Sequence, residues 1–530
     1  MCCNADAGMW KPNSTPSIAL IIGSILYPLS AVRFPQPTHL FARPDIYGMD
    51  SRLAILKSLL LKTPLLLKTA LLHTLSLTPT SQKWSLRTEL TVAVLRAFIG
   101  DAPPETITSQ QARFLKDPGV KGSMWVSKVT LPPPEDAVRE LLFTTIEGLK
   151  SGGEEYAKPS LQPVEGEWVG PRRGVEANAP EPKDMSEMEK YERLVAESGS
   201  DLTLLYFHGG SYYLMDPAWN RPLMAKYADL SGGRVFSLRY RLAPQNPFPA
   251  ALLDSLTAYL SLLYPPPGAL HDPVPPSRIL LCGDSAGGNL ATVLLQTLLH
   301  LHRTTPAGET PTVTFHGAEV SLPLPAGVAL NSPSVDLTRC LQGSGPHKYD
   351  YLPPNSRSPA LSPPCAIWPA DPPRAELLCE GSALCHSLVS PISAPSWAGS
   401  PPIFVVCGEE KLTDEGKLFA QKAARDGATV VWEQYEAMPH CFALVLEGTA
   451  EAASYFQGWT RFVERISEGE PVETTGEFIE AKTVARRPVN VRNLLSMSDE
   501  DVKEAMRGGQ RAIEERFAQQ MASSQVASGV

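Results

Sequence analysis

Apolar residues are clustered in blocks along the chain, and these blocks predict alternating strands and helices. Short apolar blocks that end in glycine, proline or polar residues indicate buried strands, whereas longer blocks indicate helices. The predicted strands are 125–131, 165–169, 204–207, 278–282, 402–407 and 430–435, and the predicted helices are 134–149 and 290–301. Strands that alternate with helices are typical of an α/β protein with a largely parallel sheet.

One predicted strand-to-helix junction carries the pattern G-x-S-x-G at residues 283–287. This pattern is typical of a nucleophile elbow, a sharp turn that holds a serine hydroxyl above the sheet, and it predicts Ser285 as a catalytic nucleophile. Small residues around the serine let the strand and the helix approach each other. Because so short a pattern also arises by chance, the alternative is a glycine-rich helix start in which Ser285 only caps the helix.

A second motif supports the catalytic interpretation. The apolar run 204–207 leads into His208-Gly209-Gly210, the kind of loop that supplies oxyanion-binding amides in lipases and esterases. Acyl transfer requires donors that face the negative oxygen of the tetrahedral intermediate. The predicted donors are the backbone N–H groups of Gly209, Gly210 and Ala286, while His208 is expected to hold the shape of the loop.

A serine nucleophile of this kind needs a histidine as general base, because imidazole titrates near neutral pH. Of the 10 histidines, His440 lies on a predicted loop after the late strand 430–435, which makes it the candidate. Five others lie at predicted helix ends or in polar loops, and we expect them at the solvated surface: His300, His302, His316, His347 and His386.

The acid that orients this histidine is expected between Ser285 and His440 in the sequence. The apolar run 402–407 ends at a loop that contains Glu409, Glu410 and Asp414. Catalytic groups of open α/β sheets collect at the carboxyl ends of the strands, so each of these three carboxylates is a candidate.

The motifs together resemble those of the hormone-sensitive-lipase-like branch of the α/β-hydrolases, also called the alpha/beta hydrolase fold-3 family. The resemblance covers about residues 204–462 and continues beyond the two glycine motifs. It includes Y-R-L-A-P at 240–244, F-P-A-A at 248–251, S-P-S-V-D-L-T at 332–338 and the proline-bounded segment 390–402. We expect the residues from Tyr240 to Asp254 to be structural.

This resemblance implies an α/β-hydrolase fold, that is, a doubly wound and mostly parallel sheet with helices on both faces. It implies a serine carboxylester hydrolase, a fungal-type esterase or lipase, in which Ser285 attacks the ester carbonyl, His440 transfers the proton and Glu410 orients His440. The implied partner is a small hydrophobic ester, with a short- to medium-chain acyl or acetyl group, and no metal or organic cofactor is implied. An acyltransferase or amidase with the same triad is an alternative, as is a non-catalytic ligand receptor of the same fold.

Three positions depart from the family pattern. Ser211 replaces the usual third glycine of the oxyanion loop, Glu410 replaces the usual aspartate of D-P-L-x-D-E-G, and Cys441 replaces the glycine after the base. Templates of this fold admit either carboxylate as the triad acid. None of the three changes removes a predicted catalytic group.

The organisation that we predict has three parts. Residues 1–100 form an apolar N-terminal region, 101–466 the catalytic domain, and 467–530 a polar tail whose helix begins near Ser498 and is expected to be loosely attached. The uncharged segment between Lys11 and Arg33 predicts either a membrane-inserted signal sequence or a buried apolar segment. The leucine- and lysine-rich stretch 53–77 predicts a cap over the active site or a helix in a membrane interface. We therefore expect the protein either at a membrane of the secretory route or in the cytoplasm.

Composition and charge indicate which partners the chain can bind and which residues are buried. The chain has 530 residues, a net charge of −9 and an isoelectric point near 5.7, so a polycationic surface for nucleic acid is not expected. Of the 9 cysteines, Cys282 and Cys407 lie in apolar strands and are expected to be buried. The two proline-rich insertions, 264–276 and 341–373, are predicted as surface loops, and the second is expected to form a wall of the substrate pocket.

Overall fold

The computed structural model describes residues 51–100, 103–342, 347–354 and 358–528, with the backbone alone for 51–61 and 523–528. The uncharged N-terminal segment predicted as a signal sequence therefore lies outside the described residues. The chain divides into two compact units, residues 1–65 and 66–530. Of the first unit, the structure describes only residues 51–65, which form the beginning of a helix.

The six predicted strands and the two predicted helices are present, and the structure contains further elements that were not predicted. The helices are α1 (Ser51–Thr74), α2 (Leu86–Leu95), α3 (Ile107–Phe114), α4 (Asp136–Leu149), α5 (Glu187–Glu197), α6 (Pro217–Ser231), α7 (Ala250–Leu263), α8 (Ala286–Thr304), α9 (Thr413–Arg425), α10 (Phe442–Val445), α11 (Ala450–Glu468) and α12 (Asp499–Ser528). The strands are β1 (Met124–Leu131), β2 (Val164–Pro171), β3 (Thr203–Phe207), β4 (Arg234–Arg239), β5 (Ile279–Asp284), β6 (Thr312–Phe315), β7 (Ala318–Ser321), β8 (Gly327–Asn331), β9 (Ile403–Cys407), β10 (Val430–Tyr435), β11 (Thr475–Ile479) and β12 (Arg486–Pro488).

Ten of the strands form one sheet in the order β1-β2-β4-β3-β5-β8-β9-β10-β11-β12. The strands from β4 to β11 in this order pair in parallel, and the antiparallel pairs lie at the two ends. This is the mostly parallel α/β-hydrolase sheet that the motifs predict. The carboxyl ends of β3, β5, β8, β9 and β10 meet at one edge, where ligands of such sheets bind.

Helices cover both faces of this sheet. Successive residues of a strand point to opposite faces, so Leu205 and Phe207 of β3 join one apolar core while Leu204 and Tyr206 join the other. The first core includes residues of α4, α7, α8 and α9, and the second includes residues of α6 and α11. A sheet buried on both faces explains why its central strands are continuous apolar runs in the sequence.

The leucine-rich stretch near the N-terminus forms α1, as predicted. Several leucines on or just after this helix are exposed, among them Leu67 at 67% and Leu71 at 60%. Within the described part of the chain, no helix combines the length and the apolar character that a bilayer span requires. The role of α1 as a cap or as an interfacial helix stays a prediction.

The C-terminal part contributes more to the fold than expected. The strands β11 and β12 extend the sheet beyond β10. Helix α12 starts with reciprocal hydrogen bonds between Ser498 and Asp501, as the capping pattern predicts. Our expectation of a loosely attached helix is wrong, because Val502, Met506 and Ile513 are buried in the first apolar core.

Candidate active site

Ser285 lies at a tight turn between β5 and α8, where its backbone has φ 52° and ψ −119°. Its N–H donates to the carbonyl of Asn331 on β8 at 3.0 Å, and its carbonyl accepts from the N–H of Ser334 at 3.0 Å. The flanking glycines are required by close approach, since a Cβ on Gly287 would lie 1.9 Å from the carbonyl oxygen of Phe207. A serine held in this rarely occupied conformation is typical of a nucleophile elbow.

The loop after β3 differs in one respect from the sequence-based assignment. The N–H of Gly209 donates to Oδ1 of Asp284 at 3.1 Å, so in this structure it is already bound to a carboxylate. Among the described residues, the N–H groups of Gly210, Ser211 and Ala286 have no acceptor. These three amides, rather than that of Gly209, are free to bind an oxyanion.

His208 supports the shape of this loop, as expected from the motif. The side chain is buried, its Nδ1 lies 2.7 Å from the carbonyl of Gly209, and its ring stacks on Tyr240 with centroids 4.4 Å apart. Burial lowers the pKa of His208 to about 4, so the ring is neutral at physiological pH. The histidine therefore acts as a structural spacer beneath the loop.

His440 and Glu410 are in contact. Nδ1 of His440 hydrogen-bonds Oε2 of Glu410, and the two residues are 4% and 2% exposed. They follow β10 and β9, which are neighbours in the sheet, so the carboxyl ends of these strands bring the two loops together. This contact fixes the proton of the neutral imidazole on Nδ1 and leaves Nε2 as the basic nitrogen.

The other oxygen of Glu410 is held by two donors. The hydroxyl of Ser332 donates to Oε1 at 2.5 Å, and the N–H of Gly408 donates to the same oxygen at 3.1 Å. The Ser332 hydroxyl also accepts from the N–H of Cys441 at 3.1 Å. Ser332 thus connects the acid to the residue that follows the base.

Burial and charge act on His440 in opposite directions. Burial disfavours the imidazolium and lowers the pKa of His440, whereas the Glu410 carboxylate raises it. The net result is a His440 pKa well above the ordinary range. An ion pair with Glu410 stabilises the imidazolium, which is the form that appears after a base accepts a proton.

Cys441 lies beside the basic nitrogen. Its Sγ is 3.5 Å from Nε2 of His440, and its backbone adopts a left-handed conformation with φ 47°. Such a φ suits the glycine that the family pattern has at this position. Burial raises the pKa of Cys441 to about 11, so the side chain is a neutral thiol.

The two other candidate acids are engaged elsewhere. Glu409 accepts the N–H of Ala437 at 2.9 Å, and Asp414 pairs with Lys417 at 3.0 Å in the first turn of α9. Neither carboxylate has a hydrogen bond to His440 in the described part of the chain. Of the three acids after β9, only Glu410 contacts the imidazole.

A cavity of about 180 Å³ opens at Ser285. Ser211 and Ala286 line it beside the serine, and its apolar lining consists mainly of leucines and prolines, namely Leu337, Leu352, Leu377, Leu378, Leu412, Pro353, Pro354 and Pro359. The second proline-rich insertion therefore forms part of the wall, as predicted. No described side chain of α1 lines this cavity.

Sequence reasoning missed two residues of the site and misplaced one histidine. Ser332 carried a signal, because a polar residue directly after a buried strand lies at the ligand-binding edge. Asp350 accepts the N–H of His440 but lies in an insertion without periodicity, so no local pattern indicated it. The expectation of a solvated His386 is wrong, since its ring is buried and Nε2 lies 3.1 Å from the carbonyl of Ile146.

Cys282 and Cys407 are buried in strands as expected, and the seven cysteines of the described segments are all free thiols. No group of three or more histidine, cysteine or carboxylate side chains that could hold a metal ion occurs among the residues that the structure describes.

The chain is similar in sequence to known hydrolases. A sequence model of the alpha/beta hydrolase fold matches residues 204–444. The chain is 33% identical over 240 residues to an acetyl-hydrolase of Streptomyces hygroscopicus, which covers 45% of this chain and 67% of that protein. It is 36% identical over 100 residues to human hormone-sensitive lipase, covering 18% of this chain and 8% of that protein. A crystal structure of an esterase from the bacterial hormone-sensitive lipase family aligns with 22% identity and a TM-score of 0.44, covering 73% of this chain and 98% of that one.

Proposed function

Because the chain belongs to the alpha/beta hydrolase fold family, in its hormone-sensitive-lipase-like branch of carboxylesterase- and lipase-type hydrolases, we propose that it hydrolyses carboxylic esters through an acyl-enzyme formed on Ser285. The observation that carries this proposal is the contact of His440 with Glu410. This contact lies at the edge of the sheet where β5 ends, directly before Ser285. An elbow serine and an oriented imidazole are the two parts that nucleophilic acyl transfer requires.

In the acylation step, the Ser285 hydroxyl attacks the ester carbonyl while Nε2 of His440 accepts its proton. Among the described residues, the hydroxyl of Ser285 has no hydrogen-bond partner, and such catalytic contacts often tighten only when substrate binds. The tetrahedral oxyanion is stabilised by the N–H groups of Gly210, Ser211 and Ala286. The imidazolium then gives its proton to the leaving alcohol.

In the deacylation step, water takes the place of the alcohol. His440 accepts a proton from the water as it attacks the acyl carbonyl, the same amides stabilise the second oxyanion, and the proton returns to Ser285 as the acid leaves. Glu410 keeps the imidazole in its productive orientation through the hydrogen bond at Nδ1. Overall, one ester and one water molecule are converted into one alcohol and one carboxylic acid.

We propose a small ester with a short acyl chain as the substrate. The cavity at Ser285 is smaller than the roughly 300–1,000 Å³ of ordinary ligand pockets and has an apolar lining. Its charged lining consists of two basic residues, Arg339 and Lys411, and two acidic residues, Asp336 and Glu376. Arg339 donates to both oxygens of Glu376 at 2.8 and 2.9 Å. A neutral, hydrophobic ester with an acetyl or similarly short acyl group suits these surroundings.

A series of p-nitrophenyl esters, from acetate to long-chain acyl groups, tests this proposal. We expect kcat/KM to be highest for the shortest chains and to fall as the acyl group exceeds the cavity. Adding an alcohol acceptor distinguishes a hydrolase from an acyltransferase, because only the latter diverts most of the acyl group to the alcohol. A protein that binds these esters without turnover is instead a receptor.

The pH dependence provides a second test. His440 accepts a proton only as neutral imidazole, so activity is present above its pKa and is lost as the pH falls through it. Because the pKa of His440 is raised, we expect the acid limb of kcat/KM at a pH higher than the roughly 6.5 of an ordinary histidine. A limb at or below that value would contradict the assigned ion pair with Glu410.

A further inference from the structure

Asp350 is a buried carboxylate, and among the described residues its side-chain hydrogen bonds come from backbone amides alone. It is 2% exposed. Its Oδ1 accepts from the N–H groups of Tyr351 at 2.7 Å, Leu352 at 3.3 Å and His440 at 3.2 Å, and its Oδ2 accepts from the N–H of Lys411 at 2.9 Å. A carboxylate is tolerated in the interior when donors surround it in this way. These donors belong to three separate stretches of chain.

Two of the stretches carry the candidate acid and base. Lys411 directly follows Glu410 in the loop after β9, and His440 is itself the base in the loop after β10. One side chain therefore binds the backbone of both loops, one with each oxygen. The ring of Tyr351 adds a second contact to the base, with its centroid 6.2 Å from that of His440 in an edge-on arrangement.

We propose that Asp350 is a positioning residue that fixes the loop of Glu410 relative to the loop of His440. The imidazole of His440 and the carboxylate of Glu410 are then held at hydrogen-bond distance, because the two loops cannot move relative to each other. This inference rests on the proposed function, because it concerns the geometry of the same acid and base. It gives the proline-rich insertion a part in catalysis besides lining the cavity.

The start of the segment that carries Asp350 is anchored from outside the two loops, and its end is bonded to the loop of Glu410. Arg96, just after α2, donates to the carbonyls of His347 at 3.3 Å, Lys348 at 2.6 Å and Asp350 at 2.8 Å. Nζ of Lys411 donates to the carbonyl of Pro353 at 2.7 Å. The segment 347–354 is thus held at both ends, so Asp350 can act as a fixed reference for the loops.

The charged groups near Asp350 determine which substitutions test its role. Burial lowers the pKa of Lys411 to about 8, and its ammonium group bonds a carbonyl instead of the Asp350 carboxylate. Among the described residues, the titratable groups around His440 are Glu410, Cys441, Asp284, Glu415 and Tyr351. Asp350 thus acts through its two acceptor oxygens, and asparagine keeps the shape of the side chain but offers only one of them.

The test compares full-length Asp350→Asn, Asp350→Ala and the control Asp414→Asn. The Asp414 carboxylate lies in the same region, and among the described residues it pairs with Lys417 alone. Turnover of p-nitrophenyl acetate is expressed per active site titrated with a fluorophosphonate. We expect Asp350→Ala to lower kcat about 10²-fold with little change in KM, the size of loss that a misplaced catalytic group produces. Asp350→Asn should lose less, and Asp414→Asn should match the wild type.

The pH profile separates positioning from general support of the fold. A displaced Glu410 stabilises the imidazolium less, so the acid limb of kcat/KM should move to lower pH in both Asp350 variants. If Asp350→Ala fails to fold, the nearly isosteric Asp350→Asn decides. A folded Asp350→Asn with wild-type kcat per titrated site and an unmoved acid limb would overturn the proposal.

The proposed function can fail separately. If the wild type neither hydrolyses the ester nor reacts with the fluorophosphonate, the assignment of an esterase is wrong, and the positioning role falls with it. If the wild type is active and Ser285→Ala is inactive, normal Asp350 variants refute the positioning role alone.

Discussion

Ser285→Ala is expected to abolish ester hydrolysis and leave the fold intact. The hydroxyl supplies the attacking oxygen, and loss of the nucleophile in serine hydrolases costs on the order of 10⁶ in kcat. The elbow itself is held by backbone hydrogen bonds to Asn331 and Ser334, which alanine retains. Circular dichroism and the melting temperature should therefore match those of the wild type.

Labelling with a fluorophosphonate provides the direct readout. The wild type should incorporate one label, and Ser285→Ala should incorporate none. Ser334→Ala is the matched control, because Ser334 lines the same cavity but binds Ser285 through its backbone N–H. Retained turnover and labelling in Ser285→Ala would show that another residue is the nucleophile.

Glu410→Gln is expected to lower kcat by a factor of up to about 10⁴, as loss of the triad acid does in serine proteases. The structure supplies the reason. Ser332 and Gly408 both donate to Oε1, so the carbonyl oxygen of the glutamine amide takes that place and its NH₂ group faces Nδ1 of His440. The imidazole must then carry its proton on Nε2, where it cannot accept the proton of Ser285.

The neighbouring acids are the controls for this prediction. Asp414→Asn removes an exposed pair with Lys417, and Glu409→Gln keeps an oxygen that can accept the N–H of Ala437. Both variants should keep most of the activity in the same assay. If Glu409→Gln or Asp414→Asn lowered kcat more than Glu410→Gln does, the acid would be assigned to a different residue.

Four inner strands of the central sheet, β3, β5, β9 and β10, were predictable because each is an apolar run buried on both faces. The inner strands β4 and β8 were not assigned from the sequence. The runs at β9 and β10 are apolar and of strand length, and their ends located Glu410 and His440 within a few residues. The strands β11 and β12 were not predicted. They lie at the edge of the sheet, contain charged residues and are less buried than the inner strands, so they lack an apolar run in the sequence. In α12 the signal was present, since Val502, Met506 and Ile513 fall on one helical face, but the charged composition concealed it.

The finer geometry of the site was not predictable from motifs. The glycines of the oxyanion loop identify a place where backbone approaches backbone, but not which N–H is already bound, as Gly209 is by Asp284. Asp350 and Ser332 act through contacts across 90 and 78 positions of sequence, respectively. Such contacts depend on how loops fold back onto the sheet edge, which local patterns do not encode.

The anchoring of segment 347–354 by Arg96 bears on where a functional fragment can begin. The family match starts at residue 204, yet Trp84 is buried and donates from Nε1 to the carbonyl of Ala437 at 2.6 Å, three positions before the base. Trp84 also packs edge-on against Tyr349, next to Asp350. A fragment cut at the family boundary would keep Ser285, Glu410 and His440 but lose the contacts that hold segment 347–354 and the loop of His440. We therefore expect an active fragment to extend at least to Trp84.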